Sequence, residues 1–339
     1  MEAPVWLLEE IDRWTRAFFW TGKEKVAGGQ CLVAWQQVCK PLCFGGLVVK
    51  NLRLQGLALH VRWEWLKRTE PNRPWQGLPG LKDVEATDTF NSLVSITVGD
   101  GAQTWFWKDR WVHGAAIIDF APVVLASVST RRKNSRTVQD AVHNHGWIND
   151  VGEGLGQEGL KQCVCIFALI SYFAMDANTP DSFSWPWSPT GCYSAQYTYR
   201  MLCLGGESFE GTSCVWRSGA PLKCKIFAWL ALQRRLWTSD RGARNGLQDN
   251  TSVCFTYLQD EDKVNHVLAG CVFSRQVWHQ CLHNLWLVVE IPTANGEWNE
   301  WWLSTRARVR TNERMAFDTL VILVSWRLLK RRNARFLTM

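Results

Sequence analysis

The first part of the chain repeats apolar positions with the period of an α-helix. Leu7, Ile11 and Trp14 recur three or four residues apart, which places them on one side of a helix. A second pattern of this kind begins after Asn51, a residue type that caps helices well, and continues to Trp65. The first 70 residues are therefore predicted to be mostly helical.

The pattern changes in the middle of the chain. Short apolar runs at 94–98 and 103–107 flank the sequence Gly99-Asp100-Gly101, and glycine provides the positive φ that a tight turn needs. This arrangement predicts a β-hairpin. A helix is predicted further on, from Leu160 to Phe173.

The segment from residue 181 onward returns to helical spacing after a short strand pair predicted through Trp185 and Trp187. Ser194 is expected to cap one helix, and Pro221 to begin the next, since proline is favoured at the first helical position. That second helix is predicted to place Leu222, Ile226, Trp229, Leu230 and Trp237 inward, and Lys223, Lys225, Arg234 and Arg235 outward.

These elements together predict an α+β fold that is mostly helical. It has small β-hairpins in the middle region and a further helical domain near the C-terminus. With 47% hydrophobic and 20% charged residues, the composition excludes a disordered chain. The predicted segments are a helical segment at 1–70, a linker and small α+β region at 71–180, a helical domain at 181–290, and a basic C-terminal helix at 291–339.

Tryptophan is unusually frequent, with 22 in 339 residues. Residues i and i+2 of a strand share one face, so closely spaced Trp side chains could stack on nucleic-acid bases. Burial in the core is the more usual role of Trp, and the sequence favours it here. The close pairs are Trp63/Trp65, Trp105/Trp107, Trp185/Trp187 and Trp301/Trp302.

The net charge of +7 is concentrated near the C-terminus. From residue 306 to 339, nine Lys or Arg residues stand against two acidic ones, so this segment alone accounts for the net charge. A second basic stretch, 217–244, has seven Lys or Arg residues and one acidic residue, Asp240. Basic surfaces suit RNA or DNA, because contacts with phosphates release counterions. A merely solvated face is the alternative.

Three residues have the types and spacing of zinc ligands: Cys254, His266 and Cys271. A structural zinc site needs four ligands, commonly with two cysteines separated by two residues. That spacing would put a cysteine at position 257, which Tyr257 occupies. Two alternatives for the missing ligand are His279 or His283, four residues apart on a predicted helix. A catalytic zinc with three protein ligands and a water is a third possibility.

The cysteines and the first 20 residues indicate the cellular location. The 12 cysteines are scattered, and the first 20 residues carry four acidic side chains in place of a secretory signal. The chain is expected in the cytoplasm or the nucleus with reduced thiols, and not secreted. The longest apolar run, 317–329, is interrupted by Asp318 and Arg327, so no membrane helix is predicted.

Several ordered motifs resemble one family. In the C-terminal half the motifs are Trp216, 218–230, 236–241, Gly246-Leu247, Cys254, His266 and Cys271. This set resembles the zinc-binding domain that follows the reverse transcriptase of plant non-LTR (LINE-type) retrotransposons. The resemblance implies that the helical domain predicted at 181–290 is zinc-knuckle-like. Looser similarity to the same elements is found at residues 11–20, 33–35, 45–52, 99–111, 191–195 and 332–336.

The resemblance implies a Cys-Cys-His-Cys zinc site that helps to hold RNA or DNA, with Tyr257 at one ligand position. It begins downstream of the catalytic palm, and the sequence has no Asp-Asp dipeptide, so no polymerase activity is expected and the chain is predicted not to be an enzyme. The predicted function is a non-catalytic, retrotransposon-derived fragment that binds nucleic acid weakly and without sequence specificity. The alternative is a non-functional remnant or a Trp-rich protein-interaction module, and protein partners are unknown. The predicted nucleic-acid contacts are Lys223, Lys225, Arg234, Arg235, Arg241, Arg331 and Arg332.

Overall fold

The computed structural model describes residues 3–70, 74, 83–204, 211–238, 254, 261–285 and 289–336. The chain forms two compact units. Unit 1 consists of residues 1–4 and 52–204, and unit 2 of residues 5–51 and 205–339. The division into four segments stays a prediction. In the predicted linker, residues 71–73 and 75–80 lie outside the described residues.

The fold is mostly helical with one small sheet, which confirms the predicted α+β class. In chain order the elements are α1 (Val5–Thr21), α2 (Trp35–Val38), α3 (Leu52–Thr69), α4 (Val84–Leu93), β1 (Ser95–Thr97), α5 (Ile117–Phe120), α6 (Pro122–Ser127), α7 (Thr130–Lys133), α8 (Val138–Val142), α9 (Gln157–Ser171), β2 (Ser182–Ser184), α10 (Ala195–Leu202), α11 (Thr212–Arg217), α12 (Leu222–Leu232), α13 (Val272–Asn284), α14 (Trp298–Arg308) and α15 (Arg314–Phe336). A π-helical turn, His266–Gly270, precedes α13.

One core of unit 1 surrounds Trp185, where α3, α4 and α10 meet. The Trp185 ring is fully buried and stacks on Phe90, with ring centroids 6.3 Å apart. The Tyr193 hydroxyl donates a hydrogen bond to the carbonyl of Ala58 on α3. The predicted helix after Asn51 is thus confirmed as α3, and its inward face packs against aromatic rings.

A second core of unit 1 contains Phe106 and Trp107. The Trp107 indole donates to the buried carboxylate of Asp150 at 3.0 Å, and Arg136 Nε donates to the same oxygen at 2.7 Å. Burial alone would raise the pKa of Asp150, but the hydrogen bonds from Arg136 and Trp107 and the nearby positive charges hold that pKa below its usual value. These contacts tie Trp107 of the second core to a buried ion pair.

The strand pairing differs from the predicted hairpins. β1 pairs with β2 in antiparallel register, Ser95 with Ser184 and Thr97 with Ser182. Among the described residues, neither 103–107 nor Trp185 and Trp187 belong to a strand. The turn prediction from Gly99-Asp100-Gly101 holds locally, but the chain does not reverse there into a partner strand.

The buried carboxylate of Asp181 explains this loop. Its Oδ1 accepts hydrogen bonds from the backbone amides of Gly99 and Gly101, at 2.8 and 2.9 Å. Its Oδ2 accepts from the amide of Gln103 at 2.9 Å and from the hydroxyl of Thr104 at 2.8 Å. Gly101 has φ +72°, a conformation that costs glycine little. The loop thus wraps around the Asp181 side chain. The carboxylate accepts hydrogen bonds from loop donors that a hairpin would have paired with a second strand.

Unit 2 has a single large core, in which α12 and α15 are central. Indole groups are anchored at several points. Trp229 donates to the Gly45 carbonyl at 2.6 Å, Trp298 to the Ser325 hydroxyl at 3.1 Å, and Trp302 to the buried Asp318 carboxylate at 3.0 Å. The core role predicted for tryptophan holds for seven fully buried side chains: Trp107, Trp147, Trp185, Trp229, Trp278, Trp298 and Trp302. It does not hold for Trp63 and Trp187 of the close pairs, which are 42% and 41% exposed.

The inward face of α12 differs from the predicted one. Leu222 is 66% exposed and Trp237, beyond the helix, is 42% exposed, although both were expected inside. The buried positions besides Trp229 are Cys224, Phe227, Ala228 and Ala231. This helix is apolar on nearly every side, so periodicity alone does not fix which side is buried.

The long helix α15 contains the apolar run seen in the sequence. Phe317, Val321, Ile322 and Leu328 are buried within unit 2. Within the part of the chain that the structure describes, no helix has the length and apolar character required to cross a bilayer.

Candidate metal centre and basic surface

Cys254, His266 and Cys271 come together in unit 2. One ligand atom from each lies within 4.8 Å of the other two, and both cysteines are 1% exposed. The two sulfur atoms are 3.9 Å apart. Two thiolates on one tetrahedral zinc, with Zn–S bonds of about 2.3 Å, are about 3.8 Å apart. The three residues therefore fit a zinc ion and form a cluster that can hold one.

The π-helical turn brings two of these ligands to one side. In an α-helix, residues five apart point about 140° away from each other, so His266 and Cys271 would face different directions. In the π turn, the backbone amide of Cys271 instead donates to the carbonyl of His266 at 2.7 Å. Such turns insert an extra residue and occur often at functional sites. Sequence spacing alone had not indicated this turn.

Two side chains of α13 donate hydrogen bonds to backbone carbonyls of the π-helical turn. The Ser274 hydroxyl donates to the carbonyl of Val267 at 2.7 Å, and the Trp278 indole donates to that of Leu268 at 2.8 Å. Gly270 packs so closely that an added Cβ would lie 2.5 Å from the carbonyl oxygen of Ala294. The ligand geometry is therefore set by a packed and hydrogen-bonded backbone.

The surroundings of Cys271 favour its protonated thiol. The hydrogen bond with Cys254, burial and the charge of that neighbour all raise the pKa of Cys271. A bound cation reverses this preference, because a coordinating thiol loses its proton.

A buried ion pair joins Asp262, four residues before His266, to α15. Asp262 is 0% exposed, and the guanidinium of Arg332 on α15 donates to both of its carboxylate oxygens, with Nε at 3.2 and 3.0 Å. Arg332 Nη1 also donates to the side chain of Asn333 at 2.9 Å. Arg332 was predicted to contact nucleic acid, but this ion pair buries its charge inside the protein. We therefore give Arg332 a structural role.

The fourth ligand is not supplied by the two exposed histidines of α13. Cys271 caps the start of this helix, and His279 lies eight residues further on. At 1.5 Å per residue this is about 12 Å along the axis, far beyond a metal–nitrogen bond of about 2.1 Å; His283 lies further still. Tyr257 is outside the described residues.

The other predicted nucleic-acid contacts have different surroundings. Lys223 and Arg235 are exposed. The Lys225 ammonium donates to the carbonyl of Trp216 at 3.1 Å, and Arg234 pairs with Glu297 at 2.8 Å. Arg241 lies outside the described residues. At least two of the charged groups of the α12 region thus contact protein atoms.

Arg331 is exposed and lies over the ring of Phe273, 5.3 Å from its centroid. Phe273 stands two residues after the ligand Cys271, so the basic face of α15 approaches the metal cluster. Arg327 and Lys330 are also exposed, and they precede Arg331 by four residues and by one. The three cations lie on one side of the helix. Arg327 and Lys330 were not among the predicted contacts; their helical spacing was the available signal.

Residues 193–278 match the sequence model of a family described as zinc-binding in reverse transcriptase. The metal cluster thus lies in a segment similar to the zinc-binding domain of reverse transcriptases, which confirms the resemblance found in the sequence.

A longer match is to "Putative ribonuclease H protein At1g65750" of Arabidopsis thaliana, which is 24% identical over 306 residues, or 81% of this chain and 48% of that protein. The chain spans about half the length of this relative. No solved structure matches the chain described here. Both sequence matches support a retrotransposon-derived protein.

Completing the ligand set is expected to strengthen zinc binding. The Tyr257→Cys variant should hold zinc about 10-fold or more tightly than the wild type, since even an outer-shell partner of a ligand is worth about 10- to 100-fold. A chelator competition with a zinc-sensitive dye measures this. The control is Tyr172→Cys, a 91% exposed position in unit 1. Equal zinc affinity in all three proteins would show that position 257 is not a ligand position.

Proposed function

We propose that this chain binds RNA or DNA without sequence specificity, through a basic surface beside a zinc-stabilised Cys/His cluster. The observation that supports this most is the cluster itself, in which three ligand atoms lie within 4.8 Å inside the segment similar to reverse-transcriptase zinc-binding domains. Cys254, His266 and Cys271 would hold the ion. Zinc would supply structural stability, because it fixes the backbone that leads into α13.

The phosphate-binding surface in this proposal centres on α15. Arg327, Lys330 and Arg331 project from one side of it, and the helix has no acidic residue after Asp318. Like charges gathered on one helix face attract a polyanion, and their contacts weaken with salt. Lys223 and Arg235 of the α12 region are the second group of exposed cations. Lys225, Arg234 and Arg332 are given a smaller part, because their charged groups already contact protein atoms.

We further propose that the chain binds nucleic acid without cleaving or copying it. Phosphoryl transfer at two metal ions relies on clustered carboxylates. Within the described ranges, the one group of three or more potential metal ligands is the Cys/His cluster, and the sequence lacks an Asp-Asp dipeptide. The relative's name refers to a ribonuclease, so cleavage of an RNA–DNA hybrid by the purified chain would contradict this part of the proposal.

The test is fluorescence anisotropy with a labelled single-stranded RNA between about 50 and 200 mM salt. We expect binding that weakens steeply with salt. The triple variant Arg327→Glu/Lys330→Glu/Arg331→Glu should bind more weakly and with a shallower salt dependence, since each lost phosphate contact removes about 0.7 from the slope of log affinity against log salt.

The matched control is Lys108→Glu/Lys161→Glu, which reverses exposed charges in unit 1. Its affinity should change little. Equal binding by the wild type and the triple variant would refute the role of α15, and no binding at low salt would refute nucleic-acid binding as a whole.

A second candidate, a protein-interaction module, is favoured by α1. Trp6, Trp14 and Phe18 are 67%, 57% and 73% exposed, and Ala17 is the one residue of this helix recorded as buried. A defined complex on gel filtration that persists after nuclease treatment would support this candidate over the first. Soluble aggregates would support a non-functional remnant.

A further inference from the structure

Two histidines on the outer face of α13 are placed as a pair. His279 and His283 are both exposed and four residues apart. Their rings are 6.0 Å apart between centroids and nearly parallel, at 15°. Residues i and i+4 of a helix are neighbours on its surface, so both imidazoles open to the same solvent-facing region.

The pair has the chemistry of a chelating site. Two histidines at i and i+4 on one helix face are a recurring way to bind a zinc ion. Imidazole nitrogen also suits copper and nickel, with affinity rising toward copper. Because both rings are exposed, they can turn their nitrogens toward one ion at about 2.0 to 2.1 Å, and water can fill its other coordination positions.

The backbone beneath the pair is fixed in advance. On the opposite side of α13, Trp278 and Leu282 are 0% and 2% exposed and belong to the core of unit 2. His283 also lies in the last turn of the helix, where the carbonyl ends of the helix favour a cation. Little conformational freedom of the backbone would be lost on binding.

We propose that His279 and His283 form a second metal site, which binds one late first-row divalent cation such as Ni²⁺, Cu²⁺ or Zn²⁺. The site is separate from the Cys254, His266 and Cys271 cluster, since His279 lies about 12 Å along α13 from Cys271. It does not depend on the proposed nucleic-acid binding. Because one helix holds both imidazoles, binding of the ion to the second imidazole is intramolecular. This raises the affinity for the metal ion by about 10²-fold or more over that of a single imidazole.

Titration of the full chain with Ni²⁺ by calorimetry tests the site. Nickel is chosen because Cu²⁺ oxidises thiols, and the chain has 12 cysteines. Binding at the Cys/His cluster is followed separately by thiolate-to-nickel absorbance. We expect a nickel-binding event without that absorbance in the wild type. His279→Ala and His283→Ala should each weaken it by about 10²-fold.

The sharpest control moves one histidine by a single position. The double variant His283→Ala/Asn284→His keeps the number of histidines but separates them by five residues, about 140° around the helix. It should bind nickel as weakly as His279→Ala, whereas His113→Ala, an exposed histidine of unit 1, should match the wild type. The proposal is overturned if the shifted pair binds as tightly as the wild type, or if the wild type shows no nickel binding beyond that of His279→Ala.

Discussion

Replacing Arg332 with methionine is expected to destabilise unit 2 by about 3–5 kcal/mol, the usual cost of removing one partner from a buried ion pair. Asp262 would remain fully buried, without the guanidinium that donates to both of its oxygens. Denaturant unfolding, followed by tryptophan fluorescence, measures the change in the free energy of unfolding.

The neighbouring residue provides the matched control. Arg331 has the same charge but is exposed over the Phe273 ring, so Arg331→Met should cost less than about 1 kcal/mol. The double variant Asp262→Leu/Arg332→Met should recover much of the lost stability, because a buried ion pair can often be replaced by apolar residues at little cost. Equal effects of the two single arginine substitutions would show that the ion pair is not buried in solution.

Replacing Asp181 with alanine is expected to destabilise unit 1 by on the order of 4 kcal/mol or more. The carboxylate accepts four hydrogen bonds from the loop at 99–104, and each buried donor left without a partner costs about 1–3 kcal/mol. Thermal or denaturant unfolding of the variant gives the value. Asp181→Asn, which keeps one acceptor oxygen, should lose about half as much.

Asp176 is the control for this prediction. It also accepts two local hydrogen bonds, from the amide of Asn178 at 3.0 Å and the hydroxyl of Thr179 at 2.5 Å, but it is exposed. Water can replace those bonds, so Asp176→Ala should destabilise the protein much less than Asp181→Ala does. A small loss in Asp181→Ala as well would mean that the loop keeps its shape without the carboxylate.

The sequence predicted those features of the fold that depend on neighbouring residues. The helices at 52–69 and 157–171 follow from periodicity and from good capping or helix-forming residues, because most of a helix's hydrogen bonds are internal. Strand partners were not predictable in this way. Ser95 pairs with Ser184, and no short-range pattern identifies a partner so distant in the chain.

The candidate metal site, like the fold, was predictable from the sequence only in part. Residue type and spacing identified Cys254, His266 and Cys271, and the structure brings them together. The sequence did not reveal the π turn that orients two of them. Nor did it distinguish Arg331 from Arg332, since adjacent positions on a helix differ by about 100° in direction, and only the packing shows which one faces the interior.

The ion pair between Asp262 and Arg332 also joins two distant parts of the chain. Asp262 lies in the sequence between the candidate ligands Cys254 and His266, whereas Arg332 lies near the end of α15. If an ion bound at the cluster favours the position that Asp262 occupies here, it also favours the contact with Arg332. Such coupling is reciprocal: an ordered last helix would raise the affinity for the ion, and the bound ion would in turn favour the ordered helix. The α15 helix would then stabilise a metal site whose candidate ligands lie more than sixty residues before Arg332 in the sequence.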